Sequence, residues 1–186
     1  MPRLHVISTS TRPVSNGRPL AAWIGEVAAQ HGGFSVNPVD LAEIALPLLD
    51  EPEQPYARRY AHQHTKDWSA LIEASDAVLF VLPMYNHSFS APLKNAIDFL
   101  YHEWKDKPVG LVSYSAGPTG GAPAAEAIRV VLGRLGTRLA ATDVAVPGIA
   151  DLVGPEGFNA PEGLAERITT VLDELAKLAT EGPAAE

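Results

Sequence analysis

Short apolar runs alternate with longer amphipathic segments along most of the chain. The runs that predict strands are residues 4–8, 34–41, 77–82, 109–114 and 139–146. Residues 77–82 are apolar at every position, which is typical of a strand covered by helices on both faces. The segments between the runs carry apolar residues at i, i+3, i+4 and i+7, which predicts amphipathic helices. Four such stripes start at Leu20, Leu93, Ile128 and Ile168, and a weaker one starts at Trp68.

Five strands that alternate with five helices predict parallel strands joined by right-handed crossovers, hence an open α/β sandwich of three layers. The chain has 186 residues, whereas an eightfold α/β barrel needs about 250. We therefore expect a single domain over residues 1–180 and a disordered tail over 181–186. Ligands of open parallel sheets bind beyond the carboxyl ends of the strands. The loops after the first, third and fourth strands are thus the candidate functional segments.

Composition narrows the classes of function. With 14 Lys and Arg against 22 Asp and Glu, the formal charge is −8, which argues against nucleic acid and anionic membranes as general partners. The chain has no cysteine, so disulfides, thiolate nucleophiles and cysteine metal sites are excluded. No apolar run approaches the roughly 20 residues of a membrane span, and the first residues do not form a signal peptide. We expect a cytoplasmic protein.

The turn after the first strand is rich in hydroxyls and contains Arg12 and Arg18. Backbone N–H groups at a helix start, together with hydroxyl and guanidinium donors, suit a phosphate. The turn has neither the glycines of the nucleoside triphosphate loop nor those of the dinucleotide fingerprint. A polar helix cap is the alternative interpretation, but two arginines exceed what a cap requires.

The loops after the third and fourth strands are suited to a flat ligand. Pro83 ends strand pairing, and the small residues that follow Ser113 allow close approach of the backbone to a ligand. Ser115-Ala-Gly117 resembles half of a hydrolase nucleophile elbow, but every histidine precedes Ser115, so the hydrolase order of catalytic residues is excluded. No metal site is predicted, because His62 and His64 are expected on different sides of a helix.

Three motifs together resemble the NAD(P)H-dependent FMN reductase family, the flavodoxin-like group that includes quinone, azo-dye and chromate reductases. They are Ser10-Thr-Arg12-Pro13, then Pro83-x-Tyr85-Asn86-x-Ser88 followed by Leu93-Lys-Asn95-Ala-Ile-Asp98, and Gly120-Gly121. The resemblance covers about residues 3–150. It implies a flavodoxin-like sheet of order 2-1-3-4-5 and bound FMN.

The resemblance also implies a set of cofactor-binding residues. Around the phosphate these are Ser10, Arg12, Asn16, Gly17 and Arg18. Along the isoalloxazine they are Pro83, Met84, Tyr85 and Asn86 on one side and Ser115, Ala116 and Gly117 on the other. The chain departs from the family at three positions. Thr9 and His87 stand where glycine is usual, and Met84 stands where glutamate is frequent.

The implied activity is hydride transfer from NADH or NADPH to FMN, followed by reduction of a quinone, azo, chromate or similar acceptor in the same pocket by a ping-pong mechanism. No protein residue is assigned a catalytic role. A homodimer or homotetramer is expected, with Tyr101 or Trp104 either at its interface or in the core. The alternative is an FMN-binding electron carrier or a flavin-binding regulator without substantial turnover of NAD(P)H.

Overall fold

Five parallel strands form the central sheet of a computed structural model that describes residues 1–182. The strands are β1 (Arg3–Ser8), β2 (Ser35–Asp40), β3 (Ala77–Pro83), β4 (Pro108–Tyr114) and β5 (Arg138–Val146). Their order across the sheet is β2-β1-β3-β4-β5, and every pairing between neighbours is parallel. The predicted strands and the predicted strand order are confirmed.

Helices cover both faces of this sheet. The long helices are α1 (Gly17–His31), α3 (Gln63–Glu73), α4 (Ala91–Asp98), α5 (Ala122–Arg134) and α7 (Leu164–Glu181). Helices α1 and α7 pack on one face, and α3, α4 and α5 pack on the other, so that two apolar cores flank the sheet. Shorter elements are α2 (Leu41–Ile44), α6 (Ile149–Leu152), the 3₁₀ turns Pro55–Ala57 and His102–Trp104, and the hairpin β6 (Val153–Gly154) with β7 (Gly157–Phe158).

Strand β3 is buried along its whole length, which explains why apolar and polar residues do not alternate there. Leu79 and Val81 belong to the core under α1 and α7, whereas Phe80 belongs to the opposite core. Each face of the strand therefore needs apolar side chains. The parallel register pairs Ser8 of β1 with Val81, and Pro83 with the end of β4. Three strands thus end at one edge of the sheet, and the loops that follow them meet there.

The predictions about Tyr101, Trp104 and the C-terminal tail have different outcomes. Trp104 is fully buried and its indole N–H donates to the carbonyl of Ile97 at 3.1 Å, so this residue belongs to the core. Tyr101 is 40% exposed.

Helix α7 continues to Glu181, the first residue of the predicted tail, and residues 183–186 lie outside the described part of the chain. Within the described part, no helix is long and apolar enough to cross a membrane.

His62 and His64 are neighbours, contrary to the expectation from helical spacing. His62 lies just before α3 in extended conformation, so the two rings stack with centroids 5.2 Å apart and planes 11° apart. Both rings face Asp50, and the distance from His64 Nε2 to its Oδ1 is 2.9 Å. Among residues 1–182, no group of three or more His, Asp or Glu side chains is arranged to hold a metal ion.

Candidate functional site

A cavity of about 330 Å³ lies at the edge of the sheet where β1, β3 and β4 end. This volume falls in the range of about 300–1,000 Å³ that is usual for small-molecule sites. The residues that line it are Ser10, Arg12, Val14, Ser15, Asn16, Pro83, Met84, Tyr85, Tyr114, Ser115, Ala116 and Ile149. It lies at the carboxyl edge of the sheet, where ligands of open parallel sheets bind.

Thr9 fastens the loop that follows β1 to the rest of the sheet. Its backbone N–H and its hydroxyl both donate to the carbonyl of Val81, each at 3.1 Å, and its own carbonyl accepts from the Ser90 hydroxyl at 2.9 Å. The backbone of Thr9 is not left-handed, so a glycine is not required there. The departure from the family pattern therefore anchors the loop without distorting it.

One end of the cavity lies at the start of α1. Ser10 and Ser15 supply hydroxyls there, and Arg12 supplies a guanidinium. The first turn of α1 holds no acidic residue, and the side chain of Asn16 does not cap the helix. The N–H of Gly17 donates to Ser15 Oγ at 3.2 Å, and the positive end of the helix carries no carboxylate in its first turn. None of the lining residues is Asp or Glu. This donor set fits the phosphate of a mononucleotide such as FMN.

The two arginines of the loop occupy different positions. Arg18 Nε lies 2.5 Å from Oδ2 of Asp40, and its Nη1 donates to the carbonyls of Arg12 and Pro13 at 3.2 Å each. Arg18 is absent from the cavity lining, whereas Arg12 lines the cavity. Among residues 1–182, no carboxylate forms an ion pair with Arg12. The guanidinium of Arg12 thus remains available to an anion, and Arg18 supports the loop from behind.

The other end of the cavity is formed by the loops after β3 and β4. The N–H of Met84 donates to the carbonyl of Tyr114 at 3.1 Å, which fixes the spacing between the two loops. Tyr85 and Ser88 exchange backbone hydrogen bonds of 2.8 and 3.0 Å around a two-residue turn. The central residues of this turn, Asn86 and His87, have φ of 50° and 62°, as in the type I′ turn.

Ser115, the first of the small residues after β4, forms hydrogen bonds with nearby backbone carbonyls. The hydroxyl of Ser115 donates to the carbonyl of Gly117 at 3.2 Å, and the N–H of Ser115 donates to Val146. Ala116 is exposed and lines the cavity, while Gly117 is outside the lining. Residues of both loops therefore border this end of the cavity.

The structure brings most of the predicted cofactor-binding residues together. Those that line the cavity are Ser10, Arg12, Asn16, Pro83, Met84, Tyr85, Ser115 and Ala116. Those that do not are Gly17, Arg18, Asn86 and Gly117. Sequence reasoning missed Val14, Ser15, Tyr114 and Ile149. Ser15 was inside the predicted loop, whereas nothing in the sequence pattern pointed to Ile149.

Tyr114 and Gly17 depend on each other. A Cβ on Gly17 would lie 2.3 Å from the hydroxyl of Tyr114, so a larger residue at the first position of α1 would have to displace the phenol. Burial raises the pKa of Tyr114, while hydrogen bonding with Ser15 and Ser10 and the charge of Arg12 offset part of that rise. The phenol is therefore protonated at neutral pH. Ser10 Oγ also lies 2.9 Å from the hydroxyl of Tyr85.

This sheet defines the chain as a flavodoxin-like α/β protein, and its cavity at the carboxyl edge of the strands is lined by Arg12 and by no acidic side chain. The model of the NADPH-dependent FMN reductases matches residues 2–151. The chain therefore belongs to the NADPH-dependent FMN reductase family, which confirms the resemblance and the expected class of oxidoreductase.

Known relatives agree with this assignment. An NAD(P)H-dependent FMN reductase from Schizosaccharomyces pombe is 38% identical over 160 residues, which is 81% of this chain and 79% of that protein. A quinone reductase from Pseudomonas putida is 35% identical over 129 residues, which is 67% of this chain and 66% of that protein. The structure of FerB, an NAD(P)H:(acceptor) oxidoreductase from Paracoccus denitrificans, superposes with a TM-score of 0.79 at 24% identity. That superposition covers 97% of this chain and 98% of FerB, and it supports the fold.

Proposed function

We propose that this protein binds FMN, accepts reducing equivalents from NADH or NADPH, and passes them to a quinone or a similar small acceptor. The observation that carries the proposal is the cavity itself. It offers the guanidinium of Arg12 and the hydroxyls of Ser10 and Ser15 at one end, residues of the loops after β3 and β4 at the other, and no acidic side chain in its lining. Family membership supplies the class of cofactor and donor.

Each end of the cavity has its own task in this proposal. Arg12, Ser10 and the start of α1 bind the phosphate, since they combine charge-assisted and helix-terminal donors. Met84 and Ala116 border the ring from two loops, and the hydrogen bond from Met84 to Tyr114 keeps those loops at a fixed separation. Bound FMN supplies the hydride and electron transfer chemistry, so the protein needs no nucleophile of its own.

The acceptor is proposed to enter the same pocket after the oxidised nicotinamide has left, which predicts ping-pong kinetics. Quinones are the proposed first acceptors, because a related protein is named a quinone reductase. Azo dyes and chromate are further acceptors to assay. A cytoplasmic location and a homodimer or homotetramer are part of the same proposal.

The test is anaerobic mixing of the flavin-loaded protein with NADPH or NADH in a stopped-flow spectrometer. We expect rapid bleaching of the flavin absorbance, followed by its return when a benzoquinone is added. Steady-state rates at several fixed quinone concentrations should give parallel double-reciprocal lines. Each arm is repeated with both nicotinamides, so that donor preference is measured in the same experiment.

Slow or absent bleaching at saturating NADPH and NADH would contradict the reductase assignment. A protein that holds FMN under those conditions would be an electron carrier or a flavin-binding regulator instead. Release of the cofactor by heat, followed by separation of FMN from FAD, identifies the flavin directly. Absence of any bound or bindable flavin would overturn both alternatives.

A further inference from the structure

A second cavity lies at the amino end of the sheet, between the starts of β1 and β2 and the end of α3. Its volume is about 400 Å³, within the usual range for small-molecule sites. The step from Arg3 to Ser8 along β1 spans about 17 Å, so this cavity is separate from the one at the carboxyl edge. Its polar lining residues are Arg3, His5, Ser35 and Asn37, and its apolar ones are Val36, Leu71 and Ala74.

The strand register places the four polar residues on one face of the sheet. Arg3 pairs with Ser35, and His5 pairs with Asn37. Alternate residues of a strand point to the same face, so the two pairs form one polar patch. The next pair on that face belongs to the apolar core formed with α3, α4 and α5. The polar patch therefore begins where this core ends.

His5 is the residue of the patch that points to a ligand. It is 1% exposed and lines the cavity, and its Nδ1 has no hydrogen-bond partner among residues 1–182. A buried polar atom without a partner destabilises a fold, and such atoms are few in native proteins. A polar group of a ligand in the cavity would supply the missing partner.

The charges around His5 indicate which ligand suits the cavity. The pKa of His5 is lowered to about 4, chiefly by burial and then by the charges of Arg3 and Lys107, against the opposite effect of Asp76. The imidazole is therefore neutral at pH 7 and has one N–H to donate. The carboxylate of Asp76 accepts from the backbone N–H of Arg3 at 2.6 Å and lies outside the lining, which contains no acidic side chain.

Donors predominate in the lining. Among residues 1–182, no carboxylate forms an ion pair with the guanidinium of Arg3. A guanidinium can only donate, and the imidazole of His5 and the amide of Asn37 can each donate as well. The cavity thus suits a ligand that accepts hydrogen bonds and carries negative charge.

We propose that this cavity binds a small organic carboxylate, whose oxygens accept from Arg3 and His5 and whose apolar body packs against Leu71 and Val36. One guanidinium matches the single charge and the two coplanar oxygens of a carboxylate. An inorganic phosphate has no apolar part to cover the wall formed by Leu71. The site is distinct from the proposed flavin site and does not depend on it.

The test is a titration of the purified protein with sodium butyrate at pH 7, with sodium chloride as the control for ionic strength. NMR follows the side-chain nitrogen signals of the six histidines, assigned through the backbone. We expect the His5 signals to shift and to saturate with butyrate. Butyramide, which has nearly the same shape but no charge, should leave them unchanged.

Two arginine variants test the contribution of charge. Arg3→Gln should raise the Kd of butyrate about tenfold, as for a lost hydrogen bond to a charged group, and the fold should persist because Arg3 is exposed. The matched control is Arg134→Gln, which removes the same charge from an exposed position of α5 outside the lining. Its Kd for butyrate should stay near the wild-type value.

A third variant tests the unpartnered nitrogen. His5→Leu should abolish the saturable binding of butyrate, measured by calorimetry, without lowering the melting temperature, because it removes a buried polar group that has no partner. The two arginine variants decide the outcome even where His5→Leu does not fold.

Three results would overturn the proposal: unchanged His5 signals in excess butyrate, equal Kd values for butyrate and butyramide, or equal losses of affinity in Arg3→Gln and Arg134→Gln. A shift of the His5 signals with inorganic phosphate but not with butyrate would also overturn it, because the site would then take a phosphate. None of these measurements requires bound flavin, so they are independent of the test of the reductase.

Discussion

Two polar loops lie near each other at the carboxyl edge of the sheet. They differ in whether their arginine side chains form ion pairs. The loop after β1, residues 9–16, leaves Arg12 without an ion pair among residues 1–182. In the long loop between α2 and α3, residues 45–62, both arginines form ion pairs. Arg59 pairs with Glu53, and Arg58 pairs with carboxylates of α3 and of the 3₁₀ turn at 102–104.

The long loop is fastened at several points. Asn95 of α4 donates to the carbonyl of Pro47 at 2.6 Å and accepts from the N–H of Leu49 at 2.9 Å. Glu103, which is buried, accepts from the Tyr60 hydroxyl at 2.9 Å and from Ser69 at 2.6 Å. Prolines and charges alone therefore do not identify a functional loop. The distinguishing feature is whether the donors already have partners within the protein.

The largest effect is expected when the fastening of the long loop is removed. Glu103→Ala leaves the half-buried hydroxyl of Tyr60 and the buried hydroxyl of Ser69 without their acceptor, so the free energy of unfolding should fall by about 3 kcal/mol. Urea unfolding measures this loss. Affinity for FMN should change little, because neither the loop nor Glu103 lines the cavity.

The matched control is Glu53→Ala, which removes an ion pair whose carboxylate is 43% exposed. Such pairs contribute less than about 1 kcal/mol, so this variant should be near wild type in stability. If Glu103→Ala weakened FMN binding as strongly as it weakened the fold, the long loop would belong to the cofactor site and the contrast between the loops would fail.

The next largest effect separates the two arginines. Arg12→Ala should weaken FMN binding by about 1.5–3 kcal/mol, because it removes a charge-assisted contact, while riboflavin affinity stays close to wild type. Arg18→Ala should lower the melting temperature through loss of the Asp40 pair and leave FMN affinity nearly unchanged. Equal losses of FMN affinity in both variants would contradict the division of roles seen in the structure.

This division shows where sequence reasoning ends. Apolar runs such as residues 77–82 predicted the strands, and the hydroxyl-rich turn supplied residues that line one end of the cavity. The choice between Arg12 and Arg18 was not predictable, since it depends on Asp40, which ends a different strand. Tyr114 was missed because a tyrosine at the end of a buried strand is typical core. Its contact with Gly17 is visible only in the structure.

The fastening of the long loop is also expected to depend on pH. Burial alone raises the pKa of Glu103, but hydrogen bonds from Ser69 and Tyr60 outweigh it and hold the pKa below its ordinary value of 4.5. The contribution of Glu103 to stability is therefore complete above pH 4.5. It is lost as the pH falls through the folded pKa, with a slope of at most about 1.4 kcal/mol per pH unit for one proton.

Unfolding of the wild type and of Glu103→Gln in urea at a series of pH values checks this dependence. The stability difference between them should be constant near neutral pH and shrink below pH 4.5. A difference that stayed constant down to pH 3 would mean that the carboxylate is not the group that fastens the loop.

The smallest effect concerns the turn at the ring end of the cavity. Asn-Gly is the preferred pair in a type I′ turn, but this chain has His87 at the second position with φ of 62°. A side chain in the left-handed region is disfavoured by about 1 kcal/mol, so His87→Gly should raise the free energy of unfolding by about that amount.

His87→Ala is the matched control, because it removes the imidazole but keeps the Cβ. The difference between the two variants measures the backbone strain, and equal stabilities would show that the turn holds none. FMN affinity should stay near wild type in both, since His87 is exposed and outside the cavity lining.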